Sequence, residues 1–492
     1  MSKLKQRKKA AALSPALAAA LELHRQGRLD EAEHGYRDVL KDDPTDWRGL
    51  HQLGAIHLER GQYVEALQFI GAAMKANPTS AEVASNYGAV LRHLARDNEA
   101  IAFFDRALIL RPGYVPALVT RGASLCRLGR REEALKNLDR AIELDPQNAM
   151  AHYNRANVLH ELKRFDEALQ SFTATLALEP AYAEANFNEG MTRLLLGDFA
   201  VGWEKYEWRW QAKQRAQIRN FSAPLWLGDQ PLAGKTILIH AEQGYGDTIQ
   251  FVRYVPLLAA HGASVVLEIQ APLKPLLAHM DGVSGVITRG EPLPAFDFHC
   301  PILSLPLAFK TELASIPASI PYLTASGDRL EQWKERLPSS DKPRVAIAWA
   351  GSATHEQDRI RSIALENLAP LFALDHVQWI SIQRDLRPGD AEFLQTRPKI
   401  AHLGGALNDF ADTAAVLAQV DLLISVDTST VHLAGALGRP VWVLLQHLPD
   451  FRWLLDREDS PWYPDARLFR QPDFGDWKRV IERVGRELAR FR

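Results

Sequence analysis

The sequence predicts an α-helical solenoid followed by an α/β region, and three observations carry that expectation. Five prolines, Pro44, Pro78, Pro112, Pro146 and Pro180, stand 34 residues apart, a period that marks stacked helical hairpins. Beyond residue 235 the period gives way to short apolar runs alternating with helix-like stretches, the pattern of strands covered on both faces in a parallel sheet. Two segments rich in small residues, Gly244–Thr248 and Asp427–Gly438, directly follow such runs.

Residues 1–12 form a basic tail (Lys3 to Lys9), read as a solvated arm rather than a targeting signal. The run Ala10–Leu21 has the apolarity of a secretory signal, but Leu13, Leu17 and Ala20 fall on first-helix positions of the unit that closes at Pro44 and so belong to the solenoid. Counting back from each proline, the twelfth residue is Ala32, Ala66, Ala100, Ala134 and Ala168, and the twenty-fourth is Ala20, Gly54, Gly88, Gly122 and Ala156. Small residues recur where the two helices of a hairpin touch. Tyr36, Ile70, Phe104, Leu138 and Phe172 fill the space beside each contact, and proline stops the second helix. This period resembles the tetratricopeptide repeat. A sixth, partial unit carries Gly190, Gly197, Trp203 and Tyr206 but no closing proline. A solenoid end cannot leave its apolar face open, so Trp203, Trp208 and Trp210 are expected to pack as a cap on the next domain rather than bind a ligand.

A chain of 492 residues holds several domains, since one core seldom grows beyond about 250 to 300 residues. The boundaries are expected at 13–217 for the solenoid with its tryptophan-rich cap, 218–338 for a first α/β half and 339–492 for a second. The net charge of −2 gives no global field for nucleic acid. No apolar run is long enough to span a membrane. Cys126 and Cys300 fall in different domains, which implies free thiols, a reducing compartment and a cytoplasmic location.

In the first α/β half, strands are expected at Thr236–His240 and Val265–Ile269, with shorter ones at Val286 and near Phe296. After the polar segment Leu337–Pro343, a second set is expected at Arg344–Trp349, Val377–Ile382, Leu422–Val426 and Val441–Leu445. Two doubly wound halves create a crevice between their carboxyl edges, the usual place for a nucleotide ligand.

Gly244 and Gly246 match the first two glycines of the dinucleotide fingerprint, but Ile249 stands where the third belongs, and no Walker lysine comes after it. The loop, with Thr248, is therefore a tight turn that sets Asp247 at a helix start, either as a cap or facing the crevice. In the second half Asp427, Thr428, Ser429 and His432 open a small-residue helix. Hydroxyls and unpaired N–H groups at a helix start suit an anion. His432, one turn in, is either a phosphate donor or a buried structural residue.

These two segments resemble the ADP-heptose:lipopolysaccharide heptosyltransferases. The family's Gly-Asp corresponds to Gly246 and Asp247, and its Asp-Thr-Gly-x-x-His-Leu to Asp427, Thr428, Ser429, His432 and Leu433. The resemblance implies a GT-B type glycosyltransferase fold of two facing Rossmann-like lobes, acceptor on the first and nucleotide-sugar on the second. It further implies Asp247 as general base, with Thr428, Ser429 and His432 on the donor diphosphate. Arg361, above a turn at Gly351 and Ser352, stands where the family has a phosphate-binding lysine, and Ser429 replaces the family glycine. ADP-heptose is therefore not carried over as donor. Bacterial proteins that join tetratricopeptide repeats to such a transferase region are similar over the whole length, including Gly-Trp-x-x-Tyr-Glu-x-Arg-Trp at 202–210.

The resemblance implies inverting, metal-independent sugar transfer without a cofactor; the lack of any Asp-x-Asp pair after residue 218 disfavours a carboxylate-bound metal ion, and Arg361, His432 and the helix dipole are expected to serve the leaving diphosphate instead. The architecture also resembles protein O-GlcNAc transferases, without a motif-level match in the transferase half. Asn86, Asn154 and Asn188 recur on the repeats, where they either pair with an extended peptide or merely pack, and Thr120 interrupts them. The repeats are expected to recruit a protein acceptor or partner. The alternatives are a non-catalytic scaffold that binds protein or senses nucleotide, and a pyridine-nucleotide oxidoreductase, which the failed glycine pattern disfavours.

Overall fold

The computed structural model describes residues 13–212, 219–354 and 358–491. The basic tail at 1–12 and the boundary expected at 217–218 lie outside the described residues. The chain divides into two compact units, residues 1–185 and 186–492.

Among the described residues, the first unit holds five helical hairpins: Pro15–Arg25 with Leu29–Asp42, Trp47–Glu59 with Tyr63–Ala76, Ala81–His93 with Asp97–Leu110, Val115–Arg127 with Arg131–Leu144, and Ala149–Glu161 with Phe165–Leu178. Leu13 precedes the first helix, while Leu17 and Ala20 are buried in it. Asp46, Ser80 and Asn148 cap three first helices by accepting the N–H three residues on, which satisfies an otherwise orphaned donor. The turn inside each hairpin has a left-handed residue at the same repeat position: Gly27, Gly61, Ala95, Gly129 and Lys163. Ala95 and Lys163 hold it without glycine, at a cost of roughly 1–2 kcal/mol each.

The recurring small residues lie where the two helices of a hairpin meet. A Cβ on Gly88 would stand 2.7 Å from the buried Phe104 ring, one on Gly122 would stand 2.8 Å from Leu138, and one on Gly54 would run into Ile70. Gly88→Val is therefore expected to overpack the third hairpin and cost about 1–3 kcal/mol. Urea unfolding reads this as a lower midpoint, and an unchanged midpoint would show that Phe104 has room to yield.

The second unit opens inside helix Ala183–Leu195 and takes in helix Phe199–Tyr206 and the turn Glu207–Trp210. The sequence places the end of the solenoid at 217, yet this compact body begins at Asn186. The reason is burial: Trp203 is 1% exposed and sits edge-on to Phe251 and Phe451, ring centroids 6.3 and 5.6 Å away. Trp203 packs as a cap should, whereas Trp208 and Trp210 stay half-buried.

Two parallel sheets complete this unit. The first comprises β1 (Thr236–His240), β2 (Ser264–Ile269), β3 (Val283–Thr288) and β4 (Phe298–Pro301) in the order β3-β2-β1-β4. The second comprises β5 (Arg344–Ala348), β6 (Gln378–Ser381), β7 (Ile400–His402), β8 (Leu422–Val426), β9 (Val441–Leu445) and β10 (Ala466–Arg470) in the order β10-β9-β8-β5-β6-β7. Counted from β5, that is the doubly wound order, with its reversal between β5 and β8. Central strand β8 is buried throughout and β5 at every residue after Arg344, as covered parallel strands must be. Edge strands β7 and β10 have no counterpart among the expected strands.

The boundary between the halves also moves. Helix Gly327–Lys334, assigned by sequence to the first half, packs on the second: Trp333 Nε1 and Arg329 Nη1 donate to Asp412 Oδ1 at 2.8 and 2.6 Å. Gln419 Nε2 donates to the Leu330 carbonyl, and the Tyr322 and Leu323 amides donate to Ala436 O. Asp412 is 1% exposed and needs such donors, so the chain crosses over before Tyr322 rather than at 338.

Candidate functional site

Within the second unit, the loops after β1, β5, β6, β8 and β9 converge on one cleft of about 490 Å³. All are carboxyl ends of strands, and the ends of β5 and β8, between which the strand order reverses, both line it. Gly244, Gly246, Asp247, Gly351, Ser352, Arg361, Asp427, Thr428, Ser429 and His432 all line it.

Thr248 does not. It is fully buried, and its hydroxyl lies 3.0 Å from Gln270 Oε1. Gln270 in turn donates to the Gln243 carbonyl, so Thr248 braces the loop from behind. The asparagine series is also divided. Asn86 hydrogen-bonds His51 Nε2 at 2.8 Å and Asn154 is half-buried, both in the first unit, but Asn188 falls in the second. The two units part inside the helix that carries Asn188, so no single unit holds the whole series.

Asp247 fills both roles the sequence left open. Its Oδ2 accepts the Gly244 N–H at 2.8 Å, capping helix Tyr245–Phe251, while Oδ1 pairs with Arg452 Nη2. Arg452 also donates to Asp450 Oδ1 at 2.8 Å and to Gln250 Oε1. Its guanidinium lies over the Phe451 ring, 4.5 Å from the centroid.

Arg361 lies directly over Gly351, where any Cβ would collide with the guanidinium. Its Nη1 donates to the Asp427 carbonyl at 3.3 Å, and Asp358 stands 3.8 Å from Nε. Helix Ser429–Ala436 starts at Thr428 without a side-chain cap. The Thr428 and Thr430 hydroxyls are 2.8 Å apart, so hydroxyls and early N–H groups of this helix are presented together.

His432 is 5% exposed, stacks on Trp453 and shares a hydrogen bond between Nδ1 and the Tyr463 hydroxyl at 3.0 Å. Burial first, then Arg452 and Arg253, holds its pKa well below the usual histidine value, so the ring is neutral. Gly246 lies over its Cδ2 edge, where a Cβ would stand 2.8 Å away. The imidazole is thus a packed wall of the cleft as well as a polar group in it.

Burial, reinforced by the neighbouring Asp450, pushes the Asp427 carboxyl up to about 6, against the opposing pull of Arg452 and Arg361. Its folded-state pKa exceeds the unfolded value, so the stability this group adds is present at low pH and is lost as pH rises through about 6. Asp427→Asn is therefore expected to stabilise the protein at pH 7.5 by roughly 1–3 kcal/mol, with the gain shrinking as pH falls toward the ordinary carboxylate range. Urea titrations at several pH values test this, and a pH-independent difference would refute it.

Sequence reasoning missed Arg452, Asp450 and Arg384, all of which line the cleft. Arg384 is exposed, and among the described residues no hydrogen bond or ion pair engages it. A basic residue three positions beyond the buried β6 was the available signal. Asp450 and Arg452 lie at the carboxyl side of β9, also detectable in principle.

Family models described as tetratricopeptide repeat or TPR repeat match residues 23–90, 122–163 and 149–182. The chain thus carries tetratricopeptide repeats in its N-terminal half, followed by an α/β region. Protein FlbA of Caulobacter vibrioides is 28% identical over 327 residues, covering 61% of this chain, more than the repeat unit occupies. The chain spans about half, 54%, of that relative's length. Solved structures it is similar to include YrrB, titled a TPR protein with an unusual peptide-binding site (23% identity, 38% of this chain and 96% of that one, TM-score 0.30). Another is TTC0263, a thermophilic TPR protein in Thermus thermophilus (22%, 36% and 97%, TM-score 0.33). No helix among the described residues is long and apolar enough to cross a membrane.

Proposed function

We propose that the second unit is a glycosyltransferase of the two-lobed GT-B type, moving a sugar from a nucleotide-diphosphate donor to an acceptor hydroxyl. The repeats would recruit a protein acceptor or partner. The observation that carries this reading is the convergence of Asp247 from the first sheet with Arg361, Thr428 and Ser429 from the second on one cleft at the strands' carboxyl ends. In this reading the uncapped start of helix Ser429–Ala436 and Arg361 hold the diphosphate, since N–H groups and a guanidinium stabilise the charge that develops on the leaving group. Asp247 takes the acceptor proton as the new glycosidic bond forms and the bond to the diphosphate breaks. No metal is assigned a part in this scheme, and the donor is a substrate, not a cofactor.

The engagement of Asp247 by Arg452 favours one second reading, a non-catalytic scaffold in which the same cleft senses nucleotide or only supports protein binding. Isothermal titration of the full chain with UDP-, GDP-, ADP- and CMP-sugars separates them. Binding of one donor, followed by its hydrolysis or transfer, is the expected result. Binding without turnover favours the sensor, and no binding to any of the four sinks the transferase reading.

A further inference from the structure

The segment Gly202–Trp210, identified by its sequence pattern and given no part in the chemistry above, touches both walls of the cleft. Arg209 is fully buried and spends its five N–H donors within this neighbourhood. Nε and Nη2 grip Glu242 at 2.8 and 3.1 Å, Nη2 also reaches Ser304 Oγ at 2.7 Å, and Nη1 binds Glu207 and the Tyr206 carbonyl. Glu242, 4% exposed, also accepts the Leu303 N–H. It is the second residue of the loop that runs from β1 to Asp247, and the next residue, Gln243, reaches the Tyr206 hydroxyl at 3.4 Å. On the other side, the Trp203 and Tyr206 rings pack against Phe451, centroids 5.6 and 6.0 Å away, immediately before Arg452.

We propose that Trp203, Tyr206 and Arg209 form a positioning element of the cleft. They hold the 241–247 loop and the Phe451–Arg452 segment in register so that Asp247 and Arg452 meet. A bidentate arginine fork on a buried carboxylate fixes direction as well as distance. This inference rests on the transferase reading only for its consequence in ligand binding. The geometry stands without it.

The test uses full-length Arg209→Met/Glu242→Gln, which replaces the buried pair by neutral groups of similar shape, a change often tolerated by the fold. Exposed Glu204→Gln on the adjoining helix Phe199–Tyr206 is the control. Hydrogen exchange of the amides in 243–252 is expected to quicken about tenfold or more, while those of β8 and β9 keep their protection. Affinity for whichever of UDP, GDP, ADP or CMP the wild type binds is expected to fall about tenfold or more. A folded double variant with unchanged exchange in 243–252 overturns the proposal. If the double variant does not fold, native-state exchange of the wild type in sub-denaturing urea decides. Segments 201–210 and 241–252 must open together with one free energy, and separate opening overturns it. Should the wild type bind none of the four nucleotides, the transferase reading falls and exchange alone judges the positioning role.

Discussion

Under the proposed transferase reading, Asp247→Asn is expected to leave nucleotide affinity within about threefold of wild type and to slow sugar transfer about 100- to 10,000-fold, the usual cost of losing a general base. The prediction is specific because asparagine preserves most of the local structure. Its carbonyl oxygen can still accept the Gly244 N–H that Asp247 caps at 2.8 Å. Arg452 also keeps Asp450 and Gln250 as partners. What disappears is an ionised oxygen able to take a proton. Single-turnover kinetics with the donor found by titration gives the measurement. A variant that transfers at the full rate would show that Asp247 is a helix cap and counter-ion alone.

The largest stability effect is expected at Arg452. Arg452→Met removes the donor shared by Asp247, Asp450 and Gln250 and leaves carboxylates facing one another across the cleft wall, with Asp427 close by. Breaking a buried ion pair by deleting one partner costs roughly 3–5 kcal/mol, because the other charge stays behind without compensation. Urea unfolding followed by fluorescence reads the loss, since Trp453 and Trp462 are buried in the same unit. Adding Asp247→Asn to Arg452→Met should recover part of it, as neighbouring sites are not additive. If the single variant loses less than about 1 kcal/mol, the pair is effectively solvent-screened and does not organise the cleft.

The repeats were legible because a 34-residue period places chemically similar residues at fixed points, and the structure puts Gly54, Gly88 and Gly122 against Ile70, Phe104 and Leu138. The left-handed turn shares that period but escaped notice, because Ala95 and Lys163 occupy it in two copies and hide the glycine signal. Among the strands, β1, β5, β8 and β9 are apolar runs and could be read directly. Three-residue β7 is too short to show a period, and β10, with Arg467 and Arg470 on a sheet edge, lacks a continuous apolar run. The cleft was half legible. Loops after buried strands pointed to Gly246, Asp247 and Asp427, but Arg452 lies 205 positions from Asp247 and only the fold brings the two together. The same limit explains Thr248: spacing put it in the loop, while helix geometry turns it toward Gln270.

The two sides of the cleft differ in how freely they can change. On one, Arg452 grips Asp247 and Gln250, and behind it Arg253 donates to the Trp462 carbonyl and the Tyr322 hydroxyl, so each of these arginines answers to several partners. On the other, Arg384 and Asp385 are exposed beyond β6, fixed mainly through Gln383, whose side chain pins the backbone at Trp349 and Ala350. Substitutions at 384 and 385 alter the charge this rim of the cleft presents without disturbing a buried partner. That rim can therefore change one residue at a time, while replacements on the opposite side disturb several partners at once.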